Sequence, residues 1–188
     1  MSTPLRVATD GWVAGVAHLA SPHFDHRPPG SAVDLLVIHN ISLPPGAFGG
    51  GHVQQLFTGT LPAGRHPFLD QLAGVKVSAH FLIARDGQIT QFVSCADRAW
   101  HAGASTFRGR SRCNDFSIGV ELEGTDFAPF ADVQYDAIAR LVPALAGAFP
   151  LAHACGHCEI AADRKTDPGP FFDWQRVPAL RQLHERRA

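Results

Sequence analysis

Two apolar segments, residues 77–84 and 88–93, are separated by the turn Arg85-Asp86-Gly87. An Asp-Gly pair between two short apolar runs is a strong hairpin signal, so the two segments are predicted to pair antiparallel. A chain with such a hairpin cannot build a purely parallel sheet. The other elements must therefore fit around a sheet that is mixed or antiparallel.

The apolar pattern predicts two further strands. Residues 34–38 form a short, buried-type run that ends at His39-Asn40. Residues 116–122 alternate between large apolar side chains and small or polar ones, and this alternation places Glu121 opposite the apolar face. Both predicted strands thus carry polar side chains close to where they end.

Residues 132–148 carry apolar side chains at helical spacing, which predicts the longest helix of the chain. Asp132 is the predicted N-cap, and Pro143 predicts a kink because it removes an intrahelical hydrogen bond. Shorter helices are predicted over 52–57 and from 178 to the C-terminus. Helices interleaved with strands predict a mixed α/β fold, a central mixed β-sheet flanked by α-helices.

Composition excludes several classes of partner. The 188 residues suit one domain spanning 1–188, and a net charge of -1 with scattered Lys and Arg argues against nucleic acid. No run approaches the ~18 apolar residues of a membrane span, and the N-terminus has no apolar leader, so we predict a cytoplasmic protein with no membrane partner. Four unevenly spaced cysteines indicate reduced thiols rather than a disulfide scaffold.

The polar segment 156–170 is rich in helix-breaking residues and contains His157, Lys165 and Asp167. A catalytic zinc needs about three protein ligands, and His157 and Asp167 supply two of them. His39, at its predicted strand end, is the first choice for the third. Taken singly, however, His39 is better explained as a strand-end residue and Asp167 as a turn former.

Cys155-Gly156-His157-Cys158 offers a rival interpretation as a thiol redox motif. Redox motifs of this spacing open a helix after an early strand. This one lies in the last fifth of the chain, and Pro168-Gly169-Pro170 follow it rather than a predicted helix. The thiol oxidoreductase therefore remains the weaker alternative.

An amide hydrolase also needs a proton-transfer group and a group that stabilises the developing oxyanion. Glu121 is a candidate for the first role and Lys165 for the second. Glu123 lies two residues further along the same strand face, and spacing alone does not separate it from Glu121.

Other side chains are candidates for substrate binding. Trp100-His101 precedes a small-residue turn and could form a stacking wall for sugar or peptide, although Trp100 could equally be core. The cations Lys76, Arg110 and Arg112 could bind substrate carboxylates. The long Gly- and Pro-rich connection 44–74 is predicted to form a lid or wall over the site.

Several motifs together resemble the zinc-dependent N-acetylmuramoyl-L-alanine amidases. The resemblance rests on Ile38-His39-Asn40 and on residues 77–83, 98–103, 114–126 and 156–174, which occur in the family's order along nearly the whole chain. Within the family, the sequence is most similar to cytoplasmic amidases of cell-wall recycling that act on anhydro-muropeptides. The fold implied is the mixed sheet with helices shared with phage amidases and peptidoglycan-recognition proteins.

The resemblance also implies the chemistry. It places zinc on His39, His157 and Asp167, with Glu121 as general base and Lys165 as oxyanion stabiliser. The bond cleaved would join (1,6-anhydro)-N-acetylmuramic acid to L-alanine of the stem peptide, with a small anhydro-muropeptide as the partner of a monomeric enzyme. Substrate contacts are predicted at Asn40, Trp100, His101 and Arg112.

One departure from the family pattern affects these expectations. Many relatives carry a tyrosine where this chain has Ala79, which makes Glu121 more important for proton transfer. Relatives that bind peptidoglycan without cleaving it tend to lack a zinc ligand. This chain retains all three, which favours an enzyme over the alternative of a muropeptide-binding module.

Overall fold

The computed structural model describes residues 4–64 and 66–186 of the chain. The strands are β1 Arg6–Val7, β2 Val13–Ala14, β3 Ala17–His18, β4 Phe24–His26, β5 Leu35–Ile41, β6 Phe81–Ile83, β7 Ile89–Gln91, β8 Asp97–Ala99, β9 Thr106–Phe107, β10 Arg110–Ser111, β11 Ser117–Glu123 and β12 His153–Gly156. The helices are α1 His52–Thr58, α2 Pro67–Asp70, α3 Asp132–Ala148, α4 His157–Ile160 and α5 Pro178–Glu185.

The central sheet has six strands in the order β12, β5, β11, β6, β7 and β3. Neighbouring strands run parallel except β6 and β7, which pair antiparallel across the Asp86-Gly87 turn. The predicted hairpin and the predicted mixed sheet with flanking helices are both confirmed. The first hairpin strand is shorter than the predicted 77–84, because the amide of Ser78 donates to the Trp100 carbonyl, 3.2 Å away, instead of joining the ladder.

The two faces of the sheet have different covers. One face packs against α3 and α5, and the buried side chains that it contributes from β5 and β11 are Leu36, Ile38, Ile118, Val120 and Leu122. The other face is covered by segment 102–116 and α4, with Leu35, Val37 and Cys155 buried there. A separate apolar cluster holds α1 and α2 against β6 and the residues around β7.

Strand register brings the polar strand ends together. In the parallel pair of β5 and β11, Glu121 lies opposite His39, so the two side chains share one face of the sheet. In the pair of β5 and β12, Gly156 lies opposite Ile38, so His157 follows at the level of His39. The carboxyl ends of three parallel strands thus converge, which is where open α/β sheets bind ligands.

The long helix occupies the predicted range, but its first residue differs in role. Ala131, not Asp132, is the N-cap, because the Gln134 side chain accepts a hydrogen bond from the Ala131 amide. Asp132 lies in the first turn, where its charge complements the helix dipole. The helix continues through Pro143, which lies on the exposed side, so the missing hydrogen bond does not end it.

The short helices α1 and α5 match the predicted ones, although residues 187–188 lie outside the described part. The helix-breaking residues of segment 156–170 predict that it contains no helix. This prediction is wrong for the first residues of the segment. One helical turn, α4, follows β12 directly, and the Glu159 side chain accepts from the Gly156 amide at 2.7 Å to stabilise its beginning.

Candidate functional site

Three predicted ligands meet at the converging strand ends. The distances are 3.0 Å from His39 Nδ1 to His157 Nδ1, 2.9 Å from His39 Nδ1 to Asp167 Oδ2, and 3.1 Å from His157 Nδ1 to Asp167 Oδ2. Ligands about 2.0–2.1 Å from a tetrahedral zinc lie about 3.3 Å apart, close to this triangle. The three residues are therefore a geometrically suitable set for a metal ion.

The hydrogen bonding of His157 supports this fit. His157 Nε2 lies 3.1 Å from the Ala102 carbonyl oxygen, which only accepts, so Nε2 carries the ring proton. In this tautomer, Nδ1 presents a lone pair to the Asp167 carboxylate. Two electron-rich atoms facing each other at 3.1 Å are stabilised by a cation between them.

The surroundings of Asp167 and His39 favour the protonation states in which these side chains can bind a metal. Burial alone would raise the pKa of Asp167, but the adjacent side chains of His157 and His39 lower it well below its usual range. Burial lowers the pKa of His39 to about 4, against the opposing effect of Asp167. An ionised carboxylate and a neutral imidazole are the forms that bind a metal.

Asp167 is held in place by its neighbours. The Cys158 amide donates to the Asp167 carbonyl at 2.9 Å, and the Asn40 side-chain amide donates to the Pro168 carbonyl at 3.0 Å and to Asp126 Oδ1 at 2.7 Å. Asn40 thus ties the ligand loop to the 125–128 turn. Gly169 makes this packing possible, because it has a φ of 80° and a Cβ there would lie 2.5 Å from Asp126 Oδ1.

The structure distinguishes the two glutamates that spacing could not separate. Glu121 Oε1 lies 4.0 Å from His39 Nδ1, and its buried Oε2 has no hydrogen-bond partner among the described residues. Burial, and then the nearby Asp167, raise the pKa of Glu121 well above its usual range. Glu123 instead accepts from the amides of Gly49 at 2.5 Å and Arg85 at 3.1 Å. Glu121 is the available carboxylate, and Glu123 anchors a loop.

A cleft of about 700 Å³ opens beside Asp167, a size that suits a small ligand. Lys165 and Asn40 line it, and no hydrogen bond or ion pair with another described residue engages the Lys165 ammonium. Its remaining walls come from loop residues. Three belong to the predicted lid 44–74, two flank Lys165 in the ligand loop, and the other five, Ser42 and residues 125–128, were not predicted. Together, these wall residues are Ser42, Pro45, Gly46, Phe48, Thr125, Asp126, Phe127, Ala128, Arg164 and Thr166.

Three predicted substrate contacts lie outside the lining of this cleft. Trp100 donates from its indole N–H to Asp25 at 3.0 Å, and its ring stacks on His23. Arg112 is paired with Asp115 at 3.2 Å. His101 lies behind His39, with its Nδ1 2.9 Å from His39 Nε2. Of the predicted contacts, Asn40 alone lines the cleft.

Of the segment predicted to form a lid, the first residues line the cleft and later ones pack elsewhere. Pro45, Gly46 and Phe48 line the cleft, whereas Val53 and Phe57 of α1 are buried in the separate apolar cluster. Among its described residues, the connection 44–74 therefore contributes a wall only at its start.

The thiol alternative gains no support from the surroundings of its cysteines. Cys155 is fully buried on β12, and burial raises the pKa of Cys158, the opposite of what an attacking thiol requires. Neither is disulfide-bonded.

Comparison with known proteins identifies the family. The family model for N-acetylmuramoyl-L-alanine amidase matches residues 29–170. The chain is 54% identical over 172 residues to the 1,6-anhydro-N-acetylmuramyl-L-alanine amidase AmpD of Escherichia coli K12, covering 90% of this chain and 94% of the relative. None of the described helices combines the length and apolarity needed to cross a bilayer.

Solved structures of amidases have a similar fold. A crystal structure of a selenomethionine AmpD derivative superposes with a TM-score of 0.88 at 53% identity, covering 91% of this chain and 97% of that one. The Escherichia coli amidase AmiD, in complex with anhydro-N-acetylmuramic acid-L-Ala-D-γ-Glu-L-Lys, superposes with a TM-score of 0.58 at 27% identity, covering 93% of this chain and 64% of that one. From the match over most of its length, this chain belongs to the N-acetylmuramoyl-L-alanine amidase family.

Proposed function

We propose that this chain is a zinc-dependent amidase that hydrolyses the amide between 1,6-anhydro-N-acetylmuramic acid and L-alanine of the stem peptide, in peptidoglycan recycling. The observation that carries the proposal is the triangle of His39, His157 and Asp167 beside the buried Glu121, whose Oε2 has no hydrogen-bond partner among the described residues. The substrate is inferred from the relatives, since AmpD is named for this activity.

Each residue has a distinct role in the proposal. A bound zinc supplies Lewis acidity, which makes water more acidic and polarises the carbonyl. Glu121 accepts a proton at the carboxylate oxygen that lacks a partner and later delivers it to the leaving amine nitrogen of L-alanine. Its raised pKa suits this exchange, because the group can hold the proton between the two steps.

Lys165 provides positive charge where the substrate carbonyl oxygen becomes negative. Its ammonium lines the cleft beside Asp167 and is not engaged by another described side chain. A cation that is already in place needs no rearrangement when charge develops. Asn40 holds the Asp167 loop and leaves its carbonyl oxygen for the ligand in the cleft.

The proposal also covers the cellular compartment, the oligomeric state and the partner of the enzyme. We place the enzyme in the cytoplasm as a single-domain monomer that takes a small muropeptide, without nucleic acid or membrane. Cys95, Cys113 and Cys158 are not disulfide-bonded, which suits a reducing compartment.

The test combines metal analysis with an assay on a purified anhydro-muropeptide, following release of the L-alanyl peptide by chromatography. We expect one zinc per chain, loss of turnover after chelation and recovery with zinc. Glu121→Gln should lower kcat by about 10²–10⁴-fold with zinc retained, because it removes the proton acceptor and little volume. Glu123→Gln should stay within about tenfold of wild type.

Two results would overturn the proposal. Full turnover by metal-free protein would remove the role of His39, His157 and Asp167. Tight binding of the muropeptide by the zinc-loaded wild type without any peptide released over hours would instead indicate the binding module.

A further inference from the structure

Two adjacent residues contact the outward nitrogens of both candidate histidine ligands. His39 Nε2 lies 2.9 Å from His101 Nδ1, and His157 Nε2 lies 3.1 Å from the Ala102 carbonyl oxygen. We infer that segment 101–102 fixes the tautomer of both histidines, so that each Nδ1 is free of a proton and available to the metal. This inference rests on the proposed zinc site and makes His101 a positioning residue.

The two contacts differ in chemistry. A backbone carbonyl only accepts, so the contact with Ala102 selects the Nε2–H form of His157. An imidazole nitrogen can accept or donate. If His101 carries its proton on Nδ1, it donates to His39 Nε2 and leaves the His39 proton on Nδ1, pointing at the metal position. The site therefore requires His101 in one particular tautomer.

Ser117 provides an acceptor for that tautomer. His101 Nε2 lies 3.2 Å from Ser117 Oγ, so the proton of His101 can reside on Nε2 and leave Nδ1 as an acceptor. The resulting chain of donors runs from His39 Nε2–H to His101 Nδ1, and from His101 Nε2–H to Ser117 Oγ. Metal-binding histidines commonly depend on such a partner for orientation and basicity.

The segment is fixed in place by residues outside the cleft. Asn114 Oδ1 accepts from the amides of His101 at 3.2 Å and Ala102 at 2.8 Å. Gly119 of β11 leaves room for the His101 ring, because a Cβ at Gly119 would lie 2.5–2.7 Å from three ring atoms. Asn114 thus binds the segment and Gly119 makes room for it, and neither is a candidate ligand.

His101 was predicted from the sequence to contact substrate, and here it is assigned the role of positioning His39. The two roles have different measurable consequences. A substrate contact would change KM and leave zinc affinity unchanged. A positioning residue would change zinc affinity even without substrate. Zinc affinity, measured by chelator competition, therefore separates the two roles independently of turnover.

Three variants test the inference, each first confirmed as folded by circular dichroism. His101→Leu, which has no acceptor, should weaken zinc binding about 10–100-fold. His101→Asn places an amide oxygen near the position of Nδ1 and should recover most of that loss. Ser117→Ala should weaken binding severalfold and keeps the inference testable if His101→Leu does not fold. His26→Leu, at a 92% exposed side chain, is the control.

Nitrogen-15 NMR of labelled, zinc-loaded protein provides the second readout. We expect Nε2–H signals for His39 and His157 in wild type, and a mixture of His39 tautomers in metal-free Ser117→Ala. Zinc affinities of His101→Leu and Ser117→Ala within threefold of wild type would overturn the inference. Failure of wild type to bind zinc would instead overturn the proposed function, so the two failures are distinguishable.

Discussion

The two lysines of this chain have different surroundings. Lys165 lines the cleft beside Asp167, whereas Lys76 lines a smaller depression with His23 and Leu72. Burial dominates the raised pKa of Glu121, and the charge of Lys165 acts in the opposite direction. Lys165 is thus close enough to influence the site electrostatically without being neutralised by an ion pair among the described residues.

Lys165→Met is expected to lower kcat about 10²–10³-fold, because the substituted side chain keeps the length and loses the charge that stabilises the oxyanion. Steady-state kinetics on the anhydro-muropeptide measure this, with KM and zinc content expected to change little. Lys76→Met is the matched control and should behave as wild type. A kcat within threefold of wild type for Lys165→Met would remove Lys165 from the mechanism.

At individual residues, sequence reasoning could propose the ligand types but could not choose among equivalent positions. Glu121 and Glu123 share a strand face, and their difference arises from the loops that reach Glu123. His101 was predicted to contact substrate beside Trp100, because nothing local indicates that β5 passes behind it. Such contacts join residues that lie 38 to 74 positions apart along the chain.

Among the elements, α3 is connected to the sheet by one buried polar side chain. Gln134 is fully buried, and its amide donates to the carbonyls of Ile83 at 3.1 Å and Glu123 at 3.0 Å, at the ends of β6 and β11. Its oxygen accepts from Ala131 and Arg85. All of its hydrogen-bonding capacity is used, so the residue fixes where the helix begins relative to the strands.

Gln134→Leu is expected to lower the free energy of unfolding by about 2–4 kcal/mol, since it leaves buried carbonyls without donors. Urea unfolding followed by circular dichroism measures the change. Asp136→Asn, on the exposed side of the same helix, should stay within about 0.5 kcal/mol of wild type. Equal stability of Gln134→Leu and wild type would show that water or relaxation replaces these hydrogen bonds.

Pro143→Ala is expected to raise the stability by about 1–3 kcal/mol. Pro143 lies on the exposed side of a continuous helix, so alanine restores an amide donor and improves helix propensity without disturbing the core. Thermal unfolding should show a higher Tm, and Ala146→Gly on the same exposed side should lower it. A lower Tm for Pro143→Ala would indicate that the ring contributes packing or restricts the unfolded chain.

Local patterns predicted the elements that are long or strongly periodic. The hairpin, β5, β11 and α3 were predicted from turn residues and apolar spacing. β12 was not, because His153–Gly156 is short and lacks alternation, although it places His157 beside β5. The order of the strands has no local signal, since it is determined by which faces pack together.

For the whole molecule, buried histidines link stability to pH. His80 is fully buried, its Nδ1 accepts from the Gly119 amide at 3.0 Å, and its Nε2 donates to the Asp97 carbonyl at 3.2 Å. Burial, and then the charge of Arg27, lower the pKa of His80 to about 3. The folded protein therefore keeps His80 neutral over a pH range in which an unfolded chain would protonate it.

The sign of the effect follows from proton binding. Below pH 6.5 the unfolded chain binds a proton at His80 that the folded protein excludes, so stability is present above about pH 6.5 and is lost as the pH falls towards 3. Between pH 7 and pH 5 the loss amounts to about 2 kcal/mol for this group. Other buried histidines add to the total, so a variant must isolate the share of His80.

His80→Asn keeps an acceptor for the Gly119 amide but cannot be protonated. Although it is expected to be less stable at pH 7, it should lose about 2 kcal/mol less than wild type between pH 7 and pH 5. Urea unfolding of metal-free protein at both pH values measures this difference, and between pH 7.5 and 9 the two proteins should change in parallel. If both lose the same stability on acidification, then His80 is protonated in the folded protein too, and its neutral hydrogen bonding between Gly119 and Asp97 cannot be what holds β11 beside that segment.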